Sequence, residues 1–137
     1  MTNCWGLAIN DFCRQVAVNG QIVVHSPPNV RRDFVPISVL CSAVSSILNS
    51  NNVESSIINV ASSNAKNLQE IVGLICARSE LVLDITPEVI FKSQTDTESN
   101  NYNLSISNNK LSKIVNINSN LEGEVDQLLI KCKEWFG

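Results

Sequence analysis

The sequence predicts a small α/β domain of about four main helices with short strands between them. Apolar residues recur at helical spacing in four separate stretches, and short runs rich in β-branched residues lie between these stretches. The 137 residues are 44% hydrophobic and only 17% charged, which is enough apolar material for a core without disulfide or metal support. No repeat or linker divides the chain, so we expect one domain over residues 1–137.

The first two elements are predicted to be a helix and a strand. A helix over residues 4–19 can end at Gly20, which adopts the left-handed conformation without steric cost. The residues on its apolar face are Trp5, Ile9, Phe12, Cys13 and Val16. Gln21–His25 is rich in β-branched residues and predicts a short strand. A turn that contains two prolines then leads to an extended segment at 32–35.

The second and third helices each carry a start signal. Ser38 can cap the second helix, which ends before the polar residues 49–52. Its apolar stripe consists of Leu40, Val44, Ile47 and Leu48. Residues 56–60 predict a strand, and Asn67 followed by Glu70 predicts a capping box for the third helix. The apolar face of the third helix consists of Leu68, Ile71, Val72, Ile75 and Cys76.

The C-terminal part is predicted to contain one more strand, a loop and a final helix. Val89, Ile90 and Phe91 form the strand, and the polar run at 93–103 forms a surface loop. Asn120 can cap the last helix. Its apolar face consists of Leu121, Val125, Leu128, Leu129, Cys132 and Phe136.

Charge and cysteine usage limit the function classes. The net charge of −3 gives no general attraction to nucleic acid, and no apolar run is long enough to cross a membrane. The five cysteines are odd in number and widely spread, which is typical of free thiols in a reducing compartment. We therefore expect a cytoplasmic protein that binds neither nucleic acid nor membrane, and no metal site.

The sequence lacks the residues that several classes of reaction require. His25 is the only histidine, and the five glycines form neither GxGxxG nor GxxxxGK[ST]. We therefore assign no catalytic, cofactor-binding or metal-binding residue. The acidic residues near positions 84–98 are ordinary surface, and a hydrolase built on them is a remote alternative.

The ordered set of segments resembles a known family. The stretch GQIVVHSPPNVRRDFVPIS (residues 20–38), preceded by NDFCRQ (10–15), is similar to the C-terminal part of extended short-chain dehydrogenases, the NAD-dependent epimerase/dehydratase family that acts on nucleotide sugars. Residues 58–62 look like that family's Asn-Val/Leu-Gly-Ser strand end, and Lys110 with Leu111 is similar to its Asp-Ser-Lys region. The resemblance implies the C-terminal subdomain of such an enzyme without the dinucleotide-binding domain.

The resemblance also implies substrate-binding positions. Arg32 matches the family arginine that contacts the substrate diphosphate, with an ordinary ion pair as the alternative, and Arg31 beside it is included as a candidate contact, although its side chain is expected to face solvent. The strand around Val23 matches one that lines the nucleotide base, unless it is a plain sheet strand, and His25 lies near the same turn unless it is simply an exposed histidine. Lys92 stands where the family commonly has a second arginine.

Two departures from the family pattern concern substrate binding. Val39 stands where the family commonly has an acidic residue, and Lys92 cannot reproduce the bidentate contact of an arginine. The family's glycine-rich NAD loop and its Tyr-x-x-x-Lys pair have no counterpart, since Tyr102 is not followed by lysine four residues later. NAD or NADP is thus implied only for an intact enzyme, and none is expected to bind to this chain.

We therefore interpret the chain as the nucleotide-sugar-binding portion of an NAD-dependent sugar epimerase/dehydratase, not catalytically competent alone. The alternative is a non-catalytic protein-interaction module derived from that fold. The expected partners are a nucleotide sugar and a cofactor-binding domain or chain. Because the surface that would face that domain is apolar, we also expect a homo-oligomer or a rearranged packing of the first helix and strand.

Overall fold

The computed structural model describes residues 4–50, 57–93, 104–115 and 120–137. Within them the chain forms α1 (Ala8–Asn19), β1 (Gln21–Val24), β2 (Arg31–Arg32), α2 (Ile37–Leu48), β3 (Lys66–Asn67), α3 (Leu68–Leu83), β4 (Glu88–Phe91), a single 3-10 turn (Leu111–Lys113) and α4 (Leu121–Phe136). The predicted fold class, a small α/β domain of four main helices with short strands, is confirmed. No helix in these ranges is long and apolar enough to cross a bilayer.

The described strands form two separate pairs. β1 and β4 run parallel, with Gln21 opposite Glu88 and Val24 opposite Phe91. β2 pairs with β3. The parallel pair joins segments that are far apart in sequence, as a parallel connection requires, because the intervening chain must cross back before the second strand starts.

The chain divides into two compact units. The first consists of described residues within 1–30, 67–101 and 122–137, and its core is formed by α1, β1, α3 and α4 through side chains such as Val16, Ile22, Ile75 and Leu129. The second consists of described residues within 31–66 and 102–121, with Val39, Ala43, Ala61, Ala65 and Leu111 buried. The expectation of a single domain over 1–137 stays a prediction.

Helix α1 is shorter than predicted but is terminated as predicted. It begins at Ala8, because residues 4–7 form a turn in which the Leu7 N–H donates to the Cys4 carbonyl at 3.2 Å. Gly20 ends the helix with φ 63° and ψ 26°, the left-handed region that glycine occupies without a Cβ clash. Phe12, Cys13 and Val16 are buried, and α1 packs on β1 and α3 of the same chain.

Helix α3 starts with the predicted capping box. The Asn67 side chain accepts from the Glu70 N–H at 2.7 Å, and the Glu70 carboxylate accepts from the Asn67 N–H at 2.6 Å. These two hydrogen bonds provide acceptors for backbone N–H groups that have no partner within the helix at its start. The helix continues to Leu83, and four of its five predicted face residues are fully buried, with Cys76 half-buried.

Helix α2 buries a different face from the predicted stripe. Pro36 occupies the capping position in place of Ser38, and the helix packs through the small side chains of Val39 and Ala43, which are 4% and 0% exposed. The opposite side of the helix is exposed, and we call it the α2 apolar face. It consists of Ile37 (63% exposed), Leu40 (42%), Val44 (48%), Leu48 (79%) and the exposed Cys41.

The strand predicted at 56–60 is wrong for its described part. Residues 57–60 form no strand, and the hydrogen bonds of this segment involve side chains. The Lys110 ammonium donates to the Ile57 carbonyl at 3.0 Å, and the Asn59 side chain donates to the Ser107 carbonyl at 3.3 Å. The loop predicted at 93–103 lies outside the described residues except for Ser93.

Candidate functional site

The five residues predicted to bind substrate lie in different units. Val23, His25 and Lys92 belong to the first unit, whereas Arg31 and Arg32 belong to the second. Each group has its own local geometry.

In the first unit, the parallel pairing brings His25 and Lys92 together. Each follows the last residue of its strand, and those last residues, Val24 and Phe91, are register partners. The Lys92 N–H donates to the Val24 carbonyl at 2.9 Å, which continues the ladder by one bond. His25 and Lys92 therefore stand side by side at the carboxyl end of β1 and β4, and both are exposed. The carboxyl ends of parallel strands are the edge at which α/β sheets commonly bind ligands.

The backbone N–H of Val23 is already hydrogen-bonded within the protein. Its backbone N–H donates to the Gln15 side-chain oxygen at 2.7 Å. The Gln15 amide in turn donates to the Asp11 carboxylate at 2.6 Å, so α1 holds the outer edge of β1. The Val23 N–H is committed to this internal bond, and any contact of this strand with a nucleotide base would have to use other groups.

In the second unit, Arg31 is anchored to the protein. It is partly buried, and its guanidinium donates to the Ala65 carbonyl. The Nε atom of Arg31 is buried without an acceptor among the described residues. The expectation that Arg31 faces solvent is therefore wrong, because the strand direction turns its side chain toward the 61–65 segment.

Asp33 anchors the same segment. Its two carboxylate oxygens each accept from the Ser62 N–H at 3.1 Å, and Oδ1 also accepts from the Ser62 hydroxyl. The Ser62 hydroxyl oxygen also accepts from the Asn64 N–H at 3.0 Å, and Ser63 between them has φ 57°. A left-handed backbone is costly for a residue with a Cβ, so the Asp33 contact holds a strained turn in place.

Arg32 differs from both of its neighbours. Successive side chains in an extended chain point to opposite sides. Because Arg31 and Asp33 point toward the 61–65 segment, Arg32 points the other way and is exposed. Its guanidinium has no hydrogen bond or ion pair with any residue that the structure describes. The result is an accessible cation on a backbone that is fixed on both sides.

The role of Asp33 and Ser62 could not be seen in the sequence. The two residues are 29 positions apart, and no local pattern links them. The Arg-Asp-Phe segment marked the strand, but the function of its aspartate as an anchor depends on a long-range contact. The alternation of side chains along the strand was the one local signal that could have assigned opposite directions to Arg31 and Arg32.

The cysteines offer no reactive thiolate in the core. Burial is the main cause that raises the pKa of the Cys132 thiol, to about 11, and burial also raises the pKa of the Cys13 thiol. A protonated thiol is a poor nucleophile and a poor metal ligand. Within the described ranges, no group of three Cys, His, Asp or Glu side chains could hold a metal ion.

Gly6, Gly20 and Gly73 lie outside the kind of connection that binds a dinucleotide. A dinucleotide loop runs from a strand into a helix, whose N-terminus then faces the pyrophosphate. Gly20 lies in the reverse connection, from the end of α1 into β1. Gly6 precedes α1 without a preceding strand among the described residues, and Gly73 lies inside α3.

The fold is similar to part of several solved structures, although no family model and no curated protein matches the chain. RMD from Pseudomonas aeruginosa, complexed with NADPH, has 15% identity and a TM-score of 0.74, over 96% of this chain and 43% of that one. The UDP-glucuronic acid 4-epimerase from Bacillus cereus, in complex with UDP-glucuronic acid and NAD, has 13% identity and a TM-score of 0.70, over 95% and 40%.

A third similar structure is TunA, an NAD-dependent NDP-hexosamine 5,6-dehydratase, with 16% identity and a TM-score of 0.67, over 93% of this chain and 40% of that one. The resemblance in fold to NAD-dependent epimerases and dehydratases is thus confirmed over nearly the whole chain. At these identities the likeness establishes the fold alone. This chain spans 40–43% of the length of the three structures.

Proposed function

We propose that this chain is the nucleotide-sugar-binding portion of a sugar epimerase or dehydratase system, and that it does not transfer hydride by itself. The observation that carries the proposal is the state of Arg32. Its guanidinium is exposed and uncommitted among the described residues, while Arg31 and Asp33 fix the backbone on either side. Because the backbone is already fixed, binding of an anion has to order only the Arg32 side chain.

The chemistry of Arg32 suits a diphosphate. A planar guanidinium can donate two parallel hydrogen bonds to two anionic oxygens, which an ammonium cannot do. Arg31 adds a second positive charge one residue away, and its guanidinium donates to the neutral Ala65 carbonyl rather than to a carboxylate. The fold likeness supports the choice of ligand, because one of the similar structures contains UDP-glucuronic acid.

His25 and Lys92 form a second candidate contact within the first unit. They stand next to each other at the carboxyl end of a parallel strand pair, and both side chains are accessible. Lys92 carries a positive charge, and a neutral imidazole can donate or accept a hydrogen bond. We propose that these two residues contact polar groups of the same class of ligand.

Hydride chemistry is proposed to come from another polypeptide or domain. NAD or NADP, when bound to such a companion, would supply the hydride acceptor. The residues of the present chain would hold the nucleotide sugar and orient its sugar ring. Tyr102, the only tyrosine, lies outside the described residues and is not followed by lysine four positions later.

Isothermal titration calorimetry with UDP-glucuronic acid and with a guanosine-diphosphate sugar tests the proposal. Hydrogen bonds to charged groups contribute about 1.5–3 kcal/mol, so Arg32→Ala should weaken binding about 10- to 100-fold. Arg32→Lys should recover only part of the affinity, because it retains the charge without the paired geometry. Lys113→Ala, which removes an exposed cation from the same unit, should bind like the wild type.

A second candidate function is the non-catalytic protein-interaction module, and the α2 apolar face favours it. A contiguous apolar stripe on a helix without charge is typical of a surface that binds another protein. Absence of heat with every nucleotide sugar, in a protein shown to be folded by circular dichroism, would favour this module over ligand binding.

A further inference from the structure

Strand β4 has one edge that is paired with β1 and one edge that is open. Alternate residues of a strand form hydrogen bonds on opposite sides, and the N–H groups of Glu88 and Lys92 donate to carbonyl groups at the two ends of β1, at 3.0 and 2.9 Å. The N–H and C=O groups of Val89 and Phe91 therefore point away from β1, and they have no hydrogen bond to any residue that the structure describes. An open edge of this kind is a template for pairing with another strand.

The opposite edge of the same sheet is covered. A side chain of α1 accepts from the Val23 N–H at 2.7 Å, on the outer side of β1. Burial follows the same pattern, because Ile22 and Val24 in β1 are 0% and 1% exposed. Their register partners in β4, Val89 and Phe91, are 36% and 37% exposed. The described structure thus protects the β1 edge and leaves the β4 edge accessible.

We propose that the open edge of β4 pairs with the same edge of a second copy of this chain. The two strands run antiparallel, and the two-fold axis of the dimer passes beside Ile90. This pairing joins two sheets of two strands into one continuous sheet of four strands, a common size for a stable sheet. The proposal goes beyond nucleotide-sugar binding and does not rest on it.

The direction of the backbone groups determines the register. In an antiparallel pair, two opposite residues exchange either both of their backbone hydrogen bonds or none. With the axis beside Ile90, Val89 lies opposite Phe91 of the second copy at both places, so that all of the outward groups of β4 are paired. A shift by two residues in one direction would place Pro87, which has no N–H, opposite Phe91. A shift in the other direction would place Val89 opposite Ser93, beyond the end of β4.

Charge selects a second copy as the occupant of this edge. The segment EVIFK (88–92) carries an acidic residue at one end, a basic residue at the other and three apolar residues between them. In the register beside Ile90, Glu88 lies opposite Lys92 of the second copy at both ends of the pair. Opposite charges at directly opposed positions stabilise an antiparallel pair, and like charges destabilise it. A companion chain would have to carry the reverse order of charges at the same spacing, whereas a second copy carries it by symmetry.

The short length of the paired segment makes the dimer weak. Five residues of an antiparallel strand span about 17 Å, and we expect the buried area to fall below the roughly 1,200 Å² of stable complexes. In strand addition the affinity comes mainly from hydrogen bonds between the main chains. We therefore expect a dissociation constant on the order of 100 µM, typical of a transient dimer.

Sedimentation equilibrium from about 10 µM to about 1 mM protein tests the dimer without any nucleotide sugar. The wild type should shift from monomer to dimer across this range. Glu88→Lys places a lysine opposite Lys92 at both ends of the pair and should weaken association about tenfold. Glu80→Lys makes the same change of charge at an exposed position on α3 and should dimerise like the wild type.

Exchange of charge between the two strands tests the register. Lys92→Glu alone should weaken association as Glu88→Lys does, because it places two glutamates opposite each other at both ends. An equimolar mixture of these two variants should associate again, since each lysine of one variant then lies opposite a glutamate of the other. The double variant Glu88→Lys/Lys92→Glu should dimerise like the wild type for the same reason.

The backbone provides a readout that does not depend on charge. In ¹H–¹⁵N spectra at rising protein concentration, the amide resonances of Val89 and Phe91 should shift more than that of Ile90, whose N–H points toward β1. Val89→Pro removes an outward N–H and should remain monomeric. Because the Val89 N–H makes no hydrogen bond to a described residue, this variant should keep the wild-type circular dichroism spectrum.

Three results would overturn the proposal. The first is a wild type that stays monomeric up to about 1 mM. The second is a mixture of the two single charge variants that associates no better than either variant alone. The third is a set of concentration-dependent shifts that leaves the Val89 and Phe91 amides unchanged. A monomeric wild type that still gives calorimetric heat with UDP-glucuronic acid would refute this dimer and leave the proposed function standing.

Discussion

Replacing Asp33 with alanine should loosen the segment that positions Arg32. The aspartate carboxylate accepts the Ser62 N–H at 3.1 Å through each oxygen and accepts the Ser62 hydroxyl through Oδ1. In Asp33→Ala the hydroxyl can rotate toward water, whereas the backbone N–H is fixed in a part-buried position. The left-handed turn at Ser63 then loses the contact that holds it.

The expected loss in the free energy of unfolding follows from these hydrogen bonds. A buried donor left without an acceptor costs about 1–3 kcal/mol, and a hydrogen bond to a charged group contributes about 1.5–3 kcal/mol. Since the site is only partly buried, we expect Asp33→Ala to lower the free energy of unfolding by about 2 kcal/mol. Asp33→Asn retains one acceptor oxygen and should cost about 1 kcal/mol.

Urea denaturation followed by circular dichroism measures both effects. Glu80→Ala removes an exposed carboxylate from α3 and should lie within about 0.5 kcal/mol of the wild type. The affinity for a nucleotide sugar should also fall in Asp33→Ala, although Asp33 is proposed to touch no ligand. An unfolding free energy for Asp33→Ala equal to that of Glu80→Ala would refute the anchoring role.

Three further predictions concern the rest of the fold. Asn67→Ala removes the capping box and should cost about 1 kcal/mol in chemical denaturation. Gly20→Ala forces a side chain into φ 63° and should cost about 1–2 kcal/mol, whereas Gly73→Ala, in open space on α3, should stabilise by up to about 1 kcal/mol. Because the pKa of Cys132 in the fold, about 11, exceeds the value of about 8.5 for an unfolded thiol, the unfolded state releases this proton first. The free energy of unfolding should therefore fall as the pH rises from about 8.5 to 11, and Cys132→Ala should reduce that fall.

Features coded by neighbouring residues could be predicted from the sequence. The left-handed glycine after α1 and the Asn67–Glu70 capping box depend on residues within one turn of each other, and both are present. The buried faces of α1 and α3 were also predicted correctly for most members, because most of the large apolar residues of these helices recur at helical spacing on one side.

Features that depend on distant contacts could not be predicted. Helix α2 is apolar on two sides, so periodicity could not decide whether Val39 and Ala43 or the larger residues would be buried. Three of the four residues at 57–60 are β-branched, but the segment forms no strand, and the Ile57 carbonyl accepts from the Lys110 ammonium instead. The pairing of β1 with β4 likewise has no signature in the spacing of its residues.

The same distinction between local features and long-range contacts applies to the candidate site. The Arg-Asp-Phe segment is identified through the resemblance; Arg32 is exposed, and its contact with a substrate diphosphate stays a prediction. Alternation along the strand indicates that Arg31 and Arg32 point to opposite sides, but which of the two faces the protein depends on the Ala65 carbonyl, 34 residues away.

The most direct test of the central claim is the arginine side-chain region of a ¹H–¹⁵N NMR spectrum during titration with UDP-glucuronic acid, with Arg32→Lys used for assignment. We propose that the Arg32 guanidinium binds the diphosphate, whereas the Arg31 guanidinium stays hydrogen-bonded to the Ala65 carbonyl. We therefore expect a saturable shift of the Arg32 Nε–Hε resonance and little change at Arg31. A saturated titration in which the Arg32 resonance does not move, or in which only Arg31 moves, would contradict this proposal.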